Sequence, residues 1–174
     1  MPGGPGDQPA QLAALLPGFQ IFFGAAVDEF TADGKRQRFG NLIATRLPVS
    51  HVQHHPLPWP SDHGVRSMPR MCTTVAVRDP VLGVVRVMTT HLEFYSKPQR
   101  MAQARALRAL HMEGCALAEA PPLIDAGDRS PFRAKPHTTR AILCGDFNLE
   151  PHEPEHAAVQ EAFGPRRLHD AWEH

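Results

Sequence analysis

The chain of 174 residues is 42% hydrophobic and 21% charged, a balance that is typical of a globular protein with one core. Lysine plus arginine number 18, as do aspartate plus glutamate, so the formal net charge is zero. Proteins that hold nucleic acid through its phosphates usually carry a basic excess, so the charge gives no support to a nucleic-acid partner. The net charge does not exclude a nucleic-acid substrate.

Hydropathy predicts a protein without a membrane span, and the cysteine pattern predicts a reducing compartment. The three cysteines, Cys72, Cys115 and Cys144, form no C-x-x-C pair, so we expect buried free thiols in a reducing compartment. Residues 1–7 lack the basic and apolar pattern of a signal peptide, and 18 apolar residues nowhere run together. We therefore expect a cytoplasmic monomer with no membrane span.

The first part of the chain predicts one short helix followed by strands. Residues 1–7 are rich in glycine and proline and are expected to be disordered. A helix at 8–16 should end at Pro17-Gly18, and an Asp33-Gly34 turn should separate two strands. Apolar runs predict strands at 19–27, 40–46 and 48–55, and the proline-broken run 54–60 predicts a loop.

The second part predicts a hairpin, a long helix and a buried strand. In chain order these are strands 71–79 and 84–91, helix 97–120, an exposed loop at 121–139, a buried strand at 140–145 and a short helix from about 154 to 163. Strands joined by turns, then a helix and another strand, predict a layered α/β sandwich with mixed, mostly antiparallel sheets. We expect a single domain over residues 1–174.

The strongest chemical signal is Gly145-Asp146-Phe147-Asn148, at the end of the apolar run 141–144. In extended geometry Asp146 and Asn148 project to the same side of the chain. The carboxylate can bind a hard cation or activate water, and the carboxamide can donate to a phosphate oxygen. The alternative is structural, because Asp and Asn are also common turn residues.

A second signal is His91, which ends a predicted strand and shares a face with Val85, Val87 and Thr89. An imidazole at this place could hydrogen-bond a phosphoryl oxygen and stabilise a transition state. A lone histidine at a strand end can equally be structural or simply exposed. The three alternating residues should pack toward the core and leave His91 at its border.

Together these motifs resemble the endonuclease/exonuclease/phosphatase superfamily. The resemblance rests on the GDFN sequence at 145–148, a GNAILSR-like strand at 39–46, a THL strand end at 90–92 and the following Arg100-x-x-Gln103 pattern. The four blocks occur in the family's order. The resemblance implies that Asp146 orients or deprotonates the attacking water, and that His91 and Asn148 contact the scissile phosphate.

The same resemblance implies further contributions to the site. Asn41 and Arg70 would line the cleft and bind substrate. The implied activity is metal-dependent hydrolysis of a phosphodiester or phosphomonoester, with Mg²⁺ as the expected cofactor and Mn²⁺ as the alternative. The protein residues that would hold the metal are unknown. The motifs leave the substrate open among DNA, RNA, lipid headgroups and inositol phosphates.

The family's flanking motifs are not found. No WN or QE motif precedes Phe19, although the family's metal-holding glutamate lies in QE, and no Ser-Asp-His follows Asp146. Ser61-Asp62-His63 spells that motif at the wrong place in the order and is interpreted as a loop. We therefore expect a truncated or mis-started domain that lacks the family's N- and C-terminal strands. A degenerate, inactive fragment or a binding module of this fold is the alternative function.

Two other histidine patterns are interpreted as unrelated to catalysis. His152-Glu153-Pro154-Glu155-His156 matches the H-E-x-x-H pattern of zinc peptidases, which requires both histidines on one unbroken helix. Pro154 removes a backbone donor and restricts Glu153, so a zinc peptidase is disfavoured. The histidines at 51, 54 and 55 are expected to lie in a solvated, proline-rich loop.

Overall fold

The computed structural model describes residues 6–123, 127–162 and 164–173. The predicted disorder of residues 1–5 lies outside these ranges. Asp7, which we had included in that segment, is ordered and accepts a hydrogen bond from the Ala10 backbone at 3.1 Å. The elements in chain order are α1 Gln8–Leu15, β1 Gln20–Phe30, β2 Arg36–Thr45, β3 Val49–Pro56, β4 Met71–Asp79, β5 Gly83–His91, α2 Lys97–Glu119, β6 Ala141–Asp146 and α3 Pro154–Gln160.

The strands form two sheets. β1 and β2 pair as an antiparallel hairpin, and the second sheet has the order β3-β4-β5-β6. In this second sheet β3, β4 and β5 are antiparallel, whereas β6 lies parallel to β5. Because parallel neighbours need a long connection, the chain crosses over through α2 between them. The predicted layered α/β sandwich with mixed pairing is therefore confirmed.

Both faces of the larger sheet are covered, and β5 supplies residues to each. On one face Val85 packs with Val75, Val77 and Ile43, below the β1–β2 hairpin. On the other face lies Met88, in a cluster whose further buried members are Leu57, Cys72, Leu92 and Leu107. The predicted row of Val85 and Val87 therefore packs toward the core, and the sheet is the central layer of the molecule.

The first turns of the long helix α2 bury polar side chains. Arg100 is only 3% exposed, and Gln99 and Gln103 are buried beside it. These side chains donate to loop carbonyls, Gln99 to Pro60 at 2.7 Å and Gln103 to Pro58 at 3.1 Å. The first turns of α2 thus hold the loops at one end of the sheet by hydrogen bonds.

Strand β6 is an exposed edge strand, so its prediction as a buried strand is wrong. Leu143 packs on the core, but Ile142 is 53% exposed and Cys144 is also exposed. The physical reason is its position: β5 is its neighbour on one side, and no described strand pairs with its other side. The predicted burial of all three thiols therefore holds for Cys72 and Cys115 alone.

The three clustered histidines lie in the strand predicted at 48–55, which is confirmed, whereas their interpretation as residues of a solvated loop is wrong. His51, His54 and His55 belong to β3 and pair with residues of β4. The loop that follows starts at Leu57, which is buried rather than solvated. Along the described ranges, the helices are too short or too polar to cross a membrane.

Candidate active site

Two of the predicted catalytic residues meet at the ends of neighbouring strands. His91 and Asp146 are paired in the parallel register of β5 and β6, and the Leu92 backbone donates to the Asp146 carbonyl at 2.9 Å. The imidazole Nε2 lies 3.6 Å from the Asp146 Oδ2. The Asp146 side chain is 61% exposed and that of His91 is 31% exposed. A carboxylate and an imidazole therefore lie together at the solvent-facing ends of two neighbouring strands.

The close approach of these strands depends on Gly145. Its φ of 141° is one that residues with a side chain rarely adopt, and a Cβ here would collide with the carbonyl of Thr90 on β5. The residue before Asp146 therefore has to be glycine for the carboxylate to reach His91.

Asn148 lies beside this pair, but its backbone is not extended as we had assumed. Its φ is 50°, a left-handed conformation that asparagine tolerates better than most residues. The Asn148 backbone donates to Asp146 Oδ1 at 3.0 Å, which makes a tight turn, and its Nδ2 donates to the Leu92 carbonyl at 2.8 Å. The carboxamide thus fastens the loop after β6 to the end of β5.

The surroundings of His91 favour the neutral imidazole. Partial burial and the nearby positive charge of Arg70 lower the pKa of His91, and the carboxylates of Asp146 and Glu93 oppose this only in part. The ring also lies against Phe39, with 5.9 Å between the ring centroids. A neutral ring offers one N–H donor and one acceptor nitrogen at the edge of the sheet.

Arg70 lies behind His91 in a buried ion pair. Its Nε donates to Glu93 at 3.2 Å, and the two side chains are 6% and 1% exposed. Glu93 also accepts hydrogen bonds from the backbones of Met68, Phe94 and Tyr95. Among the described residues, the Arg70 Nη1 is buried without a hydrogen-bond partner. The guanidinium therefore keeps an unused donor near the candidate site.

Asn41 bridges the two sheets rather than standing open to solvent. It is half-buried, and its Nδ2 donates to the carbonyls of Met71 at 3.1 Å and Thr89 at 3.4 Å. The contact with Thr89 joins β2 to β5 at a position two residues before His91. The structure thus places all five predicted site residues around the end of β5, with His91, Asp146 and Asn148 at its edge and Asn41 and Arg70 behind them.

The sequence interpretation missed two residues of this region, Glu93 and Phe39. Besides its side-chain contacts, Glu93 donates its backbone N–H to Gln103 at 2.8 Å and accepts through its carbonyl from Arg100. An acidic residue two positions after His91 was the available signal for Glu93. The contact of Phe39 with His91 joins residues of different sheets, and we found no local pattern that predicts it.

The zinc-peptidase pattern is not assembled on one helix. Helix α3 begins at Pro154, so His152 precedes it and is 78% exposed. Glu153 forms ion pairs with Lys97 at 3.0 Å and Arg100 at 3.2 Å. The glutamate that a zinc peptidase would use as a base is therefore engaged in joining α3 to α2.

Few ligands for a metal gather at the candidate active site. Among the described residues, no group of three or more His, Cys, Asp or Glu side chains meets there. Asp146 provides an accessible carboxylate, whereas Glu93 is held by Arg70. Magnesium sites commonly use one or two carboxylates together with water and substrate phosphates, so Asp146 meets the minimum of that donor set.

Three solved structures illustrate what the chain is similar to. An endonuclease/exonuclease/phosphatase family protein from Bacteroides thetaiotaomicron is 19% identical, with a TM-score of 0.57 over 87% of this chain and 48% of its own. An endonuclease/exonuclease/phosphatase from Beutenbergia cavernae is 27% identical, with a TM-score of 0.56 over 88% and 36%. A mannosyl-6-phosphatase from Bacteroides thetaiotaomicron is 19% identical, with a TM-score of 0.55 over 87% and 51%.

The chain thus spans about half or less of the length of these structures. No protein-family model matches the sequence, and no curated protein matches it. The similarity is carried by the order and packing of the strands and helices.

Proposed function

From the premise that this chain has the endonuclease/exonuclease/phosphatase fold, we propose that it belongs to a phosphoesterase that hydrolyses a phosphodiester or phosphomonoester. The observation that supports this most is the 3.6 Å approach of His91 to Asp146, with Asn148 fastened beside them. Fold alone does not determine function, so the proposal rests on this group of side chains.

In the proposed reaction Asp146 orients a water molecule and accepts its proton. The water oxygen forms a bond to phosphorus as the bond to the leaving oxygen breaks, and the negative charge on the phosphoryl oxygens increases. His91, as a neutral imidazole, donates a hydrogen bond to one of these oxygens. Asn148 holds the loop in place through Leu92 and has a second amide N–H for the phosphate.

Arg70 and Asn41 have supporting roles in this proposal. The unused Nη1 of Arg70 supplies positive charge behind His91, and so favours an anionic ligand at this edge. Asn41 fixes the position of β5 relative to β2 through the Thr89 carbonyl. Both residues therefore act on the phosphate mainly through the placement and charge of the site.

We further propose that a divalent metal, Mg²⁺ or alternatively Mn²⁺, takes part with Asp146 as its protein ligand. When bound, such an ion would neutralise charge on the phosphate oxygens. We also propose a monomer in the reducing cytoplasm, in keeping with three free cysteines.

The alternative function is a binding module that holds phosphate without hydrolysing it. This alternative is supported by the small number of carboxylates at the site, because only Asp146 is available there among the described residues. The two functions differ in turnover but share the phosphate site.

The experiment measures both properties on the 174-residue chain, where we expect little or no turnover, and on a chain extended to the length of the similar structures, of which residues 1–174 cover about half or less. Hydrolysis of p-nitrophenyl phosphate and bis(p-nitrophenyl) phosphate is followed with Mg²⁺ or Mn²⁺, and binding of inorganic phosphate is followed by calorimetry. The variants are Asp146→Asn and His91→Ala. The control is Asp79→Asn, which removes a carboxylate that likewise accepts a backbone N–H two residues on.

We expect Asp146→Asn to lower turnover at least about a hundredfold, the range typical of a lost general base, while Asp79→Asn leaves it unchanged. His91→Ala should weaken phosphate binding. In the extended chain, phosphate binding without any turnover would favour the binding module. Equal turnover there in Asp146→Asn and the control would remove Asp146 from the reaction, and absence of both binding and turnover would contradict the proposal.

A further inference from the structure

A second group of ligand-type side chains lies away from the candidate active site, where α3 meets the C-terminal segment. His156 extends from α3, and Asp170 and Glu173 come from the segment that follows. One ligand atom from each residue can be chosen so that all three lie within 4.8 Å of one another. This group uses no residue to which we assign a role in phosphate-ester hydrolysis.

The spacing of these atoms is close to that of a coordinated ion. Ligands at about 2.1 Å in the tetrahedral arrangement that zinc prefers are about 3.4 Å apart. His156 Nε2 and Asp170 Oδ2 are 2.9 Å apart, which also suits a hydrogen bond. Bringing the third ligand from within 4.8 Å to that spacing requires a shift of about 1.4 Å or less, and the Glu173 side chain is exposed.

Two of the three ligands are already held in place. Gln160, one turn after His156 on α3, contacts both ring nitrogens of His156 through its Nε2, at 3.1 Å from Nε2 and 3.3 Å from Nδ1, and accepts the Asp170 backbone N–H at 3.0 Å. A bound ion would therefore displace the amide from the coordinating nitrogen. The other carboxylate oxygen of Asp170 accepts from the Trp172 backbone at 2.9 Å. The imidazole is 17% exposed and the carboxylate 30% exposed. Side chains that fix the ligands in this way raise the affinity of a metal site.

We propose that His156, Asp170 and Glu173 form a binding site for a divalent transition-metal ion, with Zn²⁺ as the best match. One imidazole with two carboxylates suits zinc, whereas magnesium and calcium prefer oxygen ligands alone. Three protein ligands leave a fourth position for water. Such an ion would join α3 to residues 170–173 and so stabilise the C-terminal segment against the rest of the molecule.

The test uses the 174-residue chain, freed of metal with a chelator and titrated with Zn²⁺ alone by calorimetry. Melting temperatures are measured with and without Zn²⁺, and with Mg²⁺ for comparison. The variants are Glu173→Gln, His156→Gln and Asp170→Asn. The matched control is His152→Gln, which removes a nearby histidine that is 78% exposed and does not belong to the group.

We expect one strong zinc site, a higher melting temperature with Zn²⁺ than with Mg²⁺, and no change in His152→Gln. Loss of Glu173 should weaken zinc binding about tenfold, and loss of His156 or Asp170 about a hundredfold, the range over which metal sites respond to altered ligand shells. Absence of a zinc site, or equal affinity in all variants, would overturn the proposal. If His156→Gln and Asp170→Asn do not fold, the zinc affinity of Glu173→Gln, altered at an exposed position, tests the site by itself.

Discussion

The imidazole of His91 faces the carboxylate of Asp146 because β5 and β6 run parallel and end at the same level of the sheet. The two residues are joined by a crossover that contains all of α2. An acid–base pair of this kind needs the parallel register, because a slip of one residue would turn Asp146 to the other face of the sheet.

Glycine at position 145 should be essential to the pairing of β6 with β5. Gly145→Ala should destabilise the protein by more than the roughly 1–3 kcal/mol of a strained backbone, because a Cβ also meets the Thr90 carbonyl. Urea unfolding measures the change. The control is Gly64→Ala, which also has a positive φ (78°) but where an added Cβ meets no atom of the described residues, other than its chain neighbours, within 4 Å. Equal losses in both variants would show that the close approach contributes nothing.

Loss of the Glu93 carboxylate should strongly lower the free energy of unfolding. Glu93→Ala leaves the Arg70 guanidinium buried without its partner and removes the acceptor for the Phe94 and Tyr95 backbones. We expect a loss of about 3–5 kcal/mol in the free energy of unfolding.

The control for this variant is Glu119→Ala, which breaks the exposed ion pair with Arg166. Exposed pairs contribute about 1 kcal/mol or less. Chemical denaturation of both variants gives the comparison. Similar losses in the two would mean that the buried pair does not stabilise the region behind His91.

Replacing Gly114 in α2 by alanine should destabilise the protein, although alanine usually stabilises a helix. Glycine-to-alanine changes in helices normally stabilise by about 1 kcal/mol. At Gly114, however, a Cβ would collide with the buried guanidinium of Arg86. Gly114→Ala should therefore lower the melting temperature. In an Arg86→Ala background the same change should become stabilising, and a double-mutant cycle measures this reversal. An unchanged sign in both backgrounds would contradict the contact.

Stability should fall as the pH is lowered below about 6.5. Burial lowers the pKa values of His51, His55, His91 and His111 in the folded protein. In the pH range between the folded and the unfolded values, the unfolded chain binds more protons, so acid favours unfolding. Urea denaturation at pH 7.5 and 5.5 measures the slope.

The variant His111→Gln should flatten this slope, whatever it does to stability at neutral pH, because one buried imidazole no longer titrates. His152→Gln, at an exposed position, should leave the slope as it is. A slope that is the same in both variants would mean that His111 does not contribute to the acid sensitivity.

Patterns within one element predicted the fold well. The hairpin of β4 and β5 and the start of α2 follow from alternation, turn residues and helix capping, all of which are local. The exposure of β6 could not be predicted this way. Its apolar run suits a buried strand, and only the arrangement of the neighbouring strands shows that one of its edges is open.

Part of the candidate site could be predicted from local sequence patterns, and part could not. Strand ends bearing His91 and Asp146 are visible locally, and the structure brings these ends together. The left-handed turn at Asn148 and the role of Glu93 depend on hydrogen bonds to residues on other elements. The catalytic roles themselves stay predictions.

The exposed residue Cys144 is suited to selective chemical labelling close to the candidate active site. Cys72 and Cys115 are buried, so a maleimide dye under native conditions should react at one of the three cysteines. Cys144 lies two residues before Asp146 on the edge strand. A fluorophore attached there would sense changes at the end of β6, and would report ligand binding in real time without any engineered residue.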